Sequence, residues 1–270
     1  WYGADPPALG PPSLREKARG IARLAAFLGM TAVLVPLFLV GRAVHSGLGS
    51  RPAFHFSIAT LWSRATLRLC GLRARVHGRP VDSGALVANH SSWLDIPALR
   101  RNGLIYFVSK KDVQRWPAIG FVAHVCGTVF IERRRTEAKR QERMLRQRIE
   151  AEERLCFFPE ATSTDGQRVL PFKSSLFSAF FEAEGQGADL SVQPVTVRYR
   201  VAPGSGLPAA FYGWWGAMPF GPHVWQVFCR SHGGIVEITF HDPVRPRDFP
   251  DRKALADQTH RTVAGDLPHR

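Results

Sequence analysis

Residues 87–95, VANHSSWLD, follow an apolar run and place a histidine and an aspartate five positions apart. The run at 85–87 is typical of a short buried strand, whereas Asn, Ser and Asp favour turns and helix caps. The segment is therefore either an ordinary strand-to-helix turn with an incidental histidine, or a turn whose His90 and Asp95 carry chemistry. Residues elsewhere in the chain separate these two interpretations.

From residue 85 to residue 240, short apolar strands alternate with helical stretches. We predict strands at 85–87, 105–109, 128–131, 155–158, 192–199 and 235–240, and helices at 94–101, 117–125, 136–153 and 173–184. Such alternation predicts an α/β fold, with a mixed sheet flanked by helices. Because active sites in these folds gather at the carboxyl ends of strands, residues 89–95 occupy a position suited to catalysis.

Composition and charge narrow the class of protein. The chain has 270 residues, 45% of them hydrophobic, which suits one α/β domain with an appendage and excludes general disorder. Its four cysteines form no CxxC pair, so we expect no metal site, no disulfide framework and a reducing location. The formal net charge of +14 calls for an anionic partner, and the absence of nucleic-acid-binding motifs favours anionic lipid over nucleic acid.

An uncharged apolar stretch, residues 24–41, is close to the shortest length that can span a bilayer. Basic residues flank it, at Arg15, Lys17, Arg19, Arg23 and Arg42. We expect Pro36 to kink or interrupt a helix here. A buried core helix and a secretory signal share this composition, but no clear small-residue cleavage site follows the stretch.

A second apolar stretch, residues 54–69, carries a helical stripe beside further arginines. The stripe consists of Phe54, Ile58, Leu61, Trp62, Ala65 and Leu69, and the arginines are Arg64, Arg68, Arg73 and Arg75. This pattern is typical of a helix lying on anionic headgroups, with core packing as the alternative. Together the two stretches predict a helical hairpin that spans a membrane or dips into it. We therefore divide the chain into a Pro-rich basic segment (1–19), a membrane-associating hairpin (20–75) and an α/β domain (76–270).

Three further strand ends have unusual chemistry. Residues 127–135, GTVFIERRR, end an apolar strand in arginines, and residues 157–166, FFPEATSTDG, end the next strand in a Pro-Glu turn. Residues 192–199, VQPVTVRY, form an apolar strand with a proline inside it. Each segment alone is explained as a charged strand end, a loop or an edge strand. Their order and spacing relative to residues 87–95 make the combination a specific signal.

This combination resembles the glycerolipid acyltransferase family typified by 1-acylglycerol-3-phosphate acyltransferase. The family's motifs match Asn89, His90 and Asp95 in Asn-His-x4-Asp, then Phe130, Ile131 and Arg133 in Phe-Ile-x-Arg, then Phe158, Pro159, Glu160 and Thr162 in Phe-Pro-Glu-Gly-Thr-Arg-Ser, and finally Pro194 in an apolar strand. The resemblance covers residues 80–200 and implies acyl transfer to the free hydroxyl of a lysolipid. It implies substrate-binding roles for Phe130, Arg133, Glu160, Thr162 and Lys173.

Two positions depart from the third motif, since Ala161 replaces its glycine and Ser163 replaces its arginine. This version is similar to a bacterial branch that includes lyso-ornithine lipid acyltransferases. In the wider family the arginine helps to hold the acceptor's phosphate, a role that Arg133 and Lys173 can take over here. With the second motif intact, the resemblance favours 1-acyl-sn-glycerol-3-phosphate as acceptor, giving phosphatidic acid, and leaves lyso-ornithine lipid as the alternative.

The chemistry explains why a histidine and an aspartate stand at this spacing. Acyl transfer from a thioester to an alcohol requires a base for the hydroxyl proton, and an imidazole with an ordinary pKa of about 6.5 suits that task. Asp95 can fold back to hold His90 in the correct tautomer. No GxSxG segment is present, so we expect no serine nucleophile. Backbone amides at a strand-to-helix turn are candidate donors to the oxyanion, and the sequence assigns them to no particular residues.

The resemblance also defines partners and location. We expect an acyl-carrier-protein or CoA thioester as co-substrate, no resident cofactor, and attachment to membrane lipids with the catalytic domain facing the cytoplasm, at a bacterial inner membrane. The mixed charges at 136–153 predict a solvated helix face, or else a docking site for an acidic carrier protein. Two other classes remain open: a membrane-bound thioesterase in which His90 and Asp95 activate water, and a non-enzymatic basic binder of membranes or nucleic acid.

Overall fold

The computed structural model describes residues 1–48, 53–115, 120, 123–124, 126–131, 138–185 and 190–267. Its helices are α1 (Leu14–Leu48), α2 (Ala53–Leu69), α3 (Asp95–Arg100), α4 (Ala138–Glu150), α5 (Ser178–Gly185), α6 (Phe220–Arg230) and α7 (Arg252–Gly265). Its strands are β1 (Leu72–His77), β2 (Gly84–Ala88), β3 (Tyr106–Lys110), β4 (Val129–Ile131), β5 (Arg154–Phe157), β6 (Val192–Arg200) and β7 (Gly234–Phe240).

The strands form one mixed sheet in the order β1-β7-β6-β2-β5-β3-β4. All neighbours are parallel except β6 and β7, which run antiparallel. The predicted mixed α/β sheet is thus confirmed. Strand β2 lies between β5 and β6, so the carboxyl ends of these three parallel strands meet at one edge of the sheet. The turn that carries His90 begins at this edge.

Hydrophobic side chains cover both faces of the sheet, which explains the continuous apolar sequence of β2. Ala85 and Val87 point into one core, with side chains of α4, α5 and α7, whereas Leu86 and Ala88 point into the other, with α2, α3 and α6. All four residues are fully buried. The alternation follows from the two-residue period of a strand and fixes which face each neighbour contacts.

The predicted strands are all present, but the structure corrects several other expectations. Strand β6 is internal to the sheet despite Pro194, so an edge strand is the wrong interpretation of that segment. Strand β1, at one edge of the sheet, was not predicted, because Arg73 and Arg75 interrupt its short apolar pattern. It begins at Leu72, so a hairpin reaching residue 75 includes part of the sheet, and α1 already begins within the segment 1–19. The helix predicted at 117–125 lies largely outside the described residues.

Helices α1 and α2 form the predicted N-terminal hairpin. Helix α1 starts at a capping box, in which the Ser13 amide donates to the Glu16 carboxylate at 2.7 Å. The helix then continues through Pro36, so the predicted interruption, one of the two outcomes expected there, does not occur. The proline is exposed on the helix surface. The helices contact each other through Trp62, whose indole Nε1 donates to the Thr31 hydroxyl at 3.0 Å.

The hairpin leaves much apolar surface uncovered. Of the described helices, α1 is long and apolar enough to cross a membrane, judged by length and composition, and only 6% of its most apolar window is buried. This helix suggests membrane association. The stripe predicted on α2 faces α1 and stays half-exposed, while α2 buries a different face that includes Phe56, Ala59 and Leu67. The prediction missed that face because Ser63 and Thr66 interrupt it; the side chain of Phe54 lies outside the described part.

Candidate active site

Asn89 fixes the point at which the chain leaves the sheet. Its side-chain Nδ2 donates to the Val197 carbonyl at 2.9 Å, and the Val197 amide donates back to Asn89 Oδ1 at 2.8 Å. The side chain therefore replaces one rung of the hydrogen-bond ladder between β2 and β6. Because Asn89 is buried, both of its polar groups need these partners. The next residue, His90, thus starts from a fixed backbone position.

His90 and Asp95 are in direct contact, as their spacing predicted. His90 Nδ1 lies 2.7 Å from Asp95 Oδ2. Since an ionised carboxylate can only accept, the proton of the neutral ring is placed on Nδ1, which leaves Nε2 as an acceptor. The histidine side chain is 22% exposed and the aspartate side chain is fully buried. The pair therefore presents one basic nitrogen at the protein surface and hides the charge that orients it.

The turn between the two residues is wrapped around the Asp95 carboxylate. The amides of Ser91 and Ser92 donate to Oδ2 at 2.8 and 3.0 Å, and the Tyr199 hydroxyl donates to Oδ1 at 2.7 Å. With His90, the carboxylate has four donors, and these offset the cost of burying a charge. The amides of Ser91 and Ser92 are thereby occupied. These two amides are therefore not candidate donors to an oxyanion.

An aromatic wall supports the imidazole ring. The ring of Phe158 stacks on His90 with centroids 4.3 Å apart and an interplanar angle of 23°. Phe107 lies behind Phe158, at 6.2 Å and almost parallel. Phe158 directly follows β5, the neighbour of β2, and Phe107 lies in β3, on the far side of β5. The stacked ring of Phe158 therefore restricts the orientation of the imidazole.

Glu160 clamps two loops together. Oε1 accepts from the His90 amide and Oε2 from the Leu170 amide, each at 2.7 Å. The residue is 2% exposed, and this burial raises the pKa of Glu160 to about 8, against the effect of the two amides. Both oxygens accept from backbone amides, so Glu160 holds the His90 backbone, and its contact with substrate stays a prediction.

The remaining predicted substrate-binding residues are spread along the site edge. Thr162 is half-buried next to Trp1, whose backbone nitrogen lies 2.8 Å from the threonine hydroxyl. Lys173 is exposed, and its amide donates to the Pro159 carbonyl at 3.0 Å. Phe130 lies in β4, three strand spacings or about 14 Å along the sheet from β2. Arg133 lies outside the described residues.

The turn of the third motif keeps a glycine-like backbone without a glycine. Ala161 has φ +59°, in the left-handed region that glycine adopts at lower cost. After it come Ser163, which is half-buried, and an ion pair in which Arg168 contacts the Asp165 carboxylate at 3.0 Å. The turn packs on the segment that carries the His90–Asp95 dyad, since the Thr164 amide donates to the His90 carbonyl at 3.0 Å. The Asp165 carboxylate is buried in this ion pair, whereas the Arg168 side chain is half-exposed.

Two contacts of the site were not predicted. Tyr199 was counted only as part of an apolar strand, although a tyrosine in a buried aliphatic row signals a hydroxyl that needs a partner. Trp93 donates from its indole to His223 Nδ1 at 3.1 Å, and neither residue had been singled out. Among the described residues, no group of three or more His, Cys, Asp or Glu side chains is placed to hold a metal ion.

The fold and this dyad define a class of protein, and sequence comparison agrees with it. The sequence model of the family described as Acyltransferase matches residues 73–198. A lyso-ornithine lipid O-acyltransferase of Rhodobacter capsulatus is 41% identical over the whole chain and 98% of its own length. The chain therefore belongs to the acyltransferase family. It is an acyltransferase, and transfer of an acyl group to a lysolipid is its supported activity.

Two further relatives complete the comparison. A 1-acyl-sn-glycerol-3-phosphate acyltransferase of Neisseria gonorrhoeae is 35% identical over 127 residues, which cover 45% of this chain and 48% of that protein. The crystal structure of the 1-acyl-sn-glycerophosphate acyltransferase PlsC from Thermotoga maritima superposes with a TM-score of 0.66 at 19% identity, covering 93% of this chain and 96% of that one. At this identity the superposition shows a shared fold.

Proposed function

We propose that the protein transfers a fatty acyl group from a thioester to the hydroxyl of lyso-ornithine lipid, with His90 as general base and Asp95 as its orienting partner. The observation that carries the reaction is the 2.7 Å contact that leaves His90 Nε2 free at the carboxyl edge of β2. The acceptor rests on the relative of that name, which matches over the entire chain, and on Ser163.

The charge of the acceptor's headgroup determines which side chain at position 163 can bind it. A phosphate is bound best by the two parallel donors of an arginine, whereas a serine hydroxyl offers one weaker, neutral donor. An ornithine headgroup carries a carboxylate and an ammonium group and no phosphate, so its binding does not require an arginine at position 163. The intact second motif favours 1-acyl-sn-glycerol-3-phosphate instead. That acceptor is the second candidate, supported by relatives that match less than half of the chain.

The proposed mechanism needs no enzyme nucleophile. His90 Nε2 takes the proton of the lysolipid hydroxyl as its oxygen attacks the thioester carbonyl. The imidazolium that forms is stabilised by the Asp95 carboxylate. When the tetrahedral intermediate collapses, the carbon–sulfur bond breaks, and the leaving thiolate takes the proton from His90. The products are an O-acylated lipid and a free thiol, and the enzyme returns to its starting state.

Partners and location follow from the same proposal. The donor is an acyl-carrier-protein or CoA thioester, used as a co-substrate, and no resident cofactor takes part in the steps above. We place the α/β domain on the cytoplasmic side of a bacterial inner membrane. The free cysteines in the structure fit a reducing compartment, and the exposed apolar surface of α1 fits attachment to lipid.

The acceptor is tested by comparing kcat/KM for lyso-ornithine lipid and 1-acyl-sn-glycerol-3-phosphate. We expect the wild-type protein to prefer lyso-ornithine lipid by at least about tenfold. Ser163→Arg should raise the use of the phosphate acceptor, whereas Ser175→Arg, at an exposed serine of the 3-10 helix Ser174–Phe177, should not. A wild-type preference for the phosphate acceptor would overturn the proposed acceptor. Release of free fatty acid with neither lysolipid consumed would instead indicate a thioesterase.

A further inference from the structure

We propose that Tyr199 is a positioning residue for acyl transfer, which holds the Asp95 carboxylate in the plane that directs Oδ2 at His90. The inference rests on the proposed roles of His90 and Asp95 and adds a third member to that pair. Tyr199 does not touch His90. It acts on the reaction through the aspartate.

For packing alone, a phenylalanine at position 199 would serve as well as the tyrosine. On β6, Val195, Val197 and Tyr199 point to the same face and enter the same hydrophobic core. Tyr199 is 9% exposed, so its hydroxyl must find a partner inside the protein. That partner is Asp95 Oδ1, at 2.7 Å. Burial and the nearby carboxylate raise the pKa of Tyr199, so the hydroxyl keeps its proton and donates.

The two carboxylate oxygens have different tasks. Oδ2 receives His90 and the amides of Ser91 and Ser92, all from the turn itself. Oδ1 receives Tyr199 from a different element, so it is the contact that ties the carboxylate to the sheet. Strand β6 also holds Asn89 through Val197, two residues before Tyr199. One strand therefore fixes both ends of the turn that contains His90.

Removal of the hydroxyl also changes the electrostatic environment of the Asp95 carboxylate. Without its donor, Oδ1 is buried and unpaired, and the carboxylate attracts the protonated imidazole more strongly. The base of the reaction should then keep its proton to higher pH. Other titratable groups packed around the pair and its neighbours are Glu160 and Asp165 after β5, Cys156 within β5, and Cys70 after α2, which faces Tyr199. All of them are unchanged in a Tyr199→Phe protein.

The test compares Tyr199→Phe with Tyr212→Phe. Tyr212 is a second buried tyrosine, and its hydroxyl bonds Ser231 and not the dyad. We expect Tyr199→Phe to lower kcat about tenfold with KM changed less than about twofold, because positioning is lost without loss of substrate contacts. The acid limb of its kcat/KM profile should move to higher pH by about half a unit or more. Tyr212→Phe should leave both quantities unchanged, and circular dichroism checks that both proteins are folded.

A double-mutant cycle and a catalytic control separate the possible failures. In an Asp95→Asn background, Tyr199→Phe should have little further effect on kcat, because the two residues act as one unit. Equal kinetics and pH profiles for Tyr199→Phe and Tyr212→Phe, with His90→Ala inactive, would overturn the role of Tyr199 alone. If His90→Ala turned over like wild type, the proposed mechanism would fall, and the role of Tyr199 would fall with it.

Discussion

At the scale of single residues, Glu160 shows how a motif residue acts through the backbone. Its two oxygens join the His90 amide to the Leu170 amide, so it fixes the segment that carries His90 without facing solvent. Burial opposes ionisation and raises the pKa of Glu160 to about 8, while nearby Asp95 and Asp165 act in the same direction. The side chain therefore holds its proton more tightly in the folded protein than in the unfolded chain, where the pKa of Glu160 is about 4.5.

This difference predicts a pH-dependent stability that Glu160→Gln removes. Because the folded-state pKa is the higher one, the stabilisation is complete below pH 4.5 and is lost as pH rises to about 8. Between pH 5 and pH 8.5 the free energy of unfolding of the wild type should fall, relative to Glu160→Gln, by on the order of a few kcal/mol. Urea titrations of both proteins at several pH values measure this. Parallel pH profiles would show that Glu160 is ionised throughout.

At the scale of secondary structure elements, β6 organises the site. It lies beside β2, contacts Asn89 through Val197 and reaches Asp95 through Tyr199. Strand β5 supplies the opposite wall, since Phe158 and Glu160 follow it directly. The site is thus built at the edge where three parallel strands end, as expected for an open α/β sheet.

Asn89→Ala should weaken the junction of β2 and β6. The change removes two hydrogen bonds and leaves a buried carbonyl and amide without partners, so we expect a loss of about 2–4 kcal/mol in the free energy of unfolding. Asn102→Ala is the matched control, because Asn102 bonds the last carbonyls of α3 with a half-buried side chain. It should cost about 1 kcal/mol or less. Equal losses in the two variants would contradict the role assigned to Asn89.

The sequence predicted the strands better than it predicted contacts between residues far apart in the chain. The strands were found because fully buried strands have continuous apolar sequences, and the contact of His90 with Asp95 followed from local spacing. Tyr199 is 104 residues from Asp95, and only the order of strands brings the two together. The buried face of α2 was missed because it contains polar Ser63. The Ser63 hydroxyl donates to the Ala59 carbonyl within the helix and can therefore be buried.

At the scale of the whole molecule, basic residues attach the hairpin to the catalytic domain. Arg19 donates to the Cys229 carbonyl at 2.7 Å, and Arg23 to the Phe228 and Ser231 carbonyls at 3.1 and 2.6 Å. These carbonyls lie at the end of α6, where a cation is favoured by the helix dipole. Arg19 and Arg23 therefore hold α1 against the domain. The later part of α1 carries an exposed apolar stripe of Val33, Leu37, Val40 and Val44.

This stripe should carry the membrane affinity. We expect the triple variant Val33→Gln, Leu37→Gln, Val40→Gln to bind anionic liposomes at least about 100-fold more weakly than wild type, because each exposed apolar side chain contributes about 1–2 kcal/mol on burial in lipid. The control is Val76→Gln with Ile96→Gln, two exposed apolar residues of the α/β domain. Flotation measures the bound fraction. Unchanged flotation of the triple variant would place the lipid contact elsewhere.

The His90–Asp95 pair is tested most directly by the rate of acyl transfer in a purified His90→Ala protein. Wild type and variant are given lyso-ornithine lipid and an acyl-carrier-protein thioester, and the O-acylated product is measured in both. We predict that wild type forms the product and that the variant, with an unchanged circular dichroism spectrum, is slower by about 10²–10⁴-fold, the range that a general base contributes. A folded His90→Ala protein that forms the product at the wild-type rate would contradict the assignment.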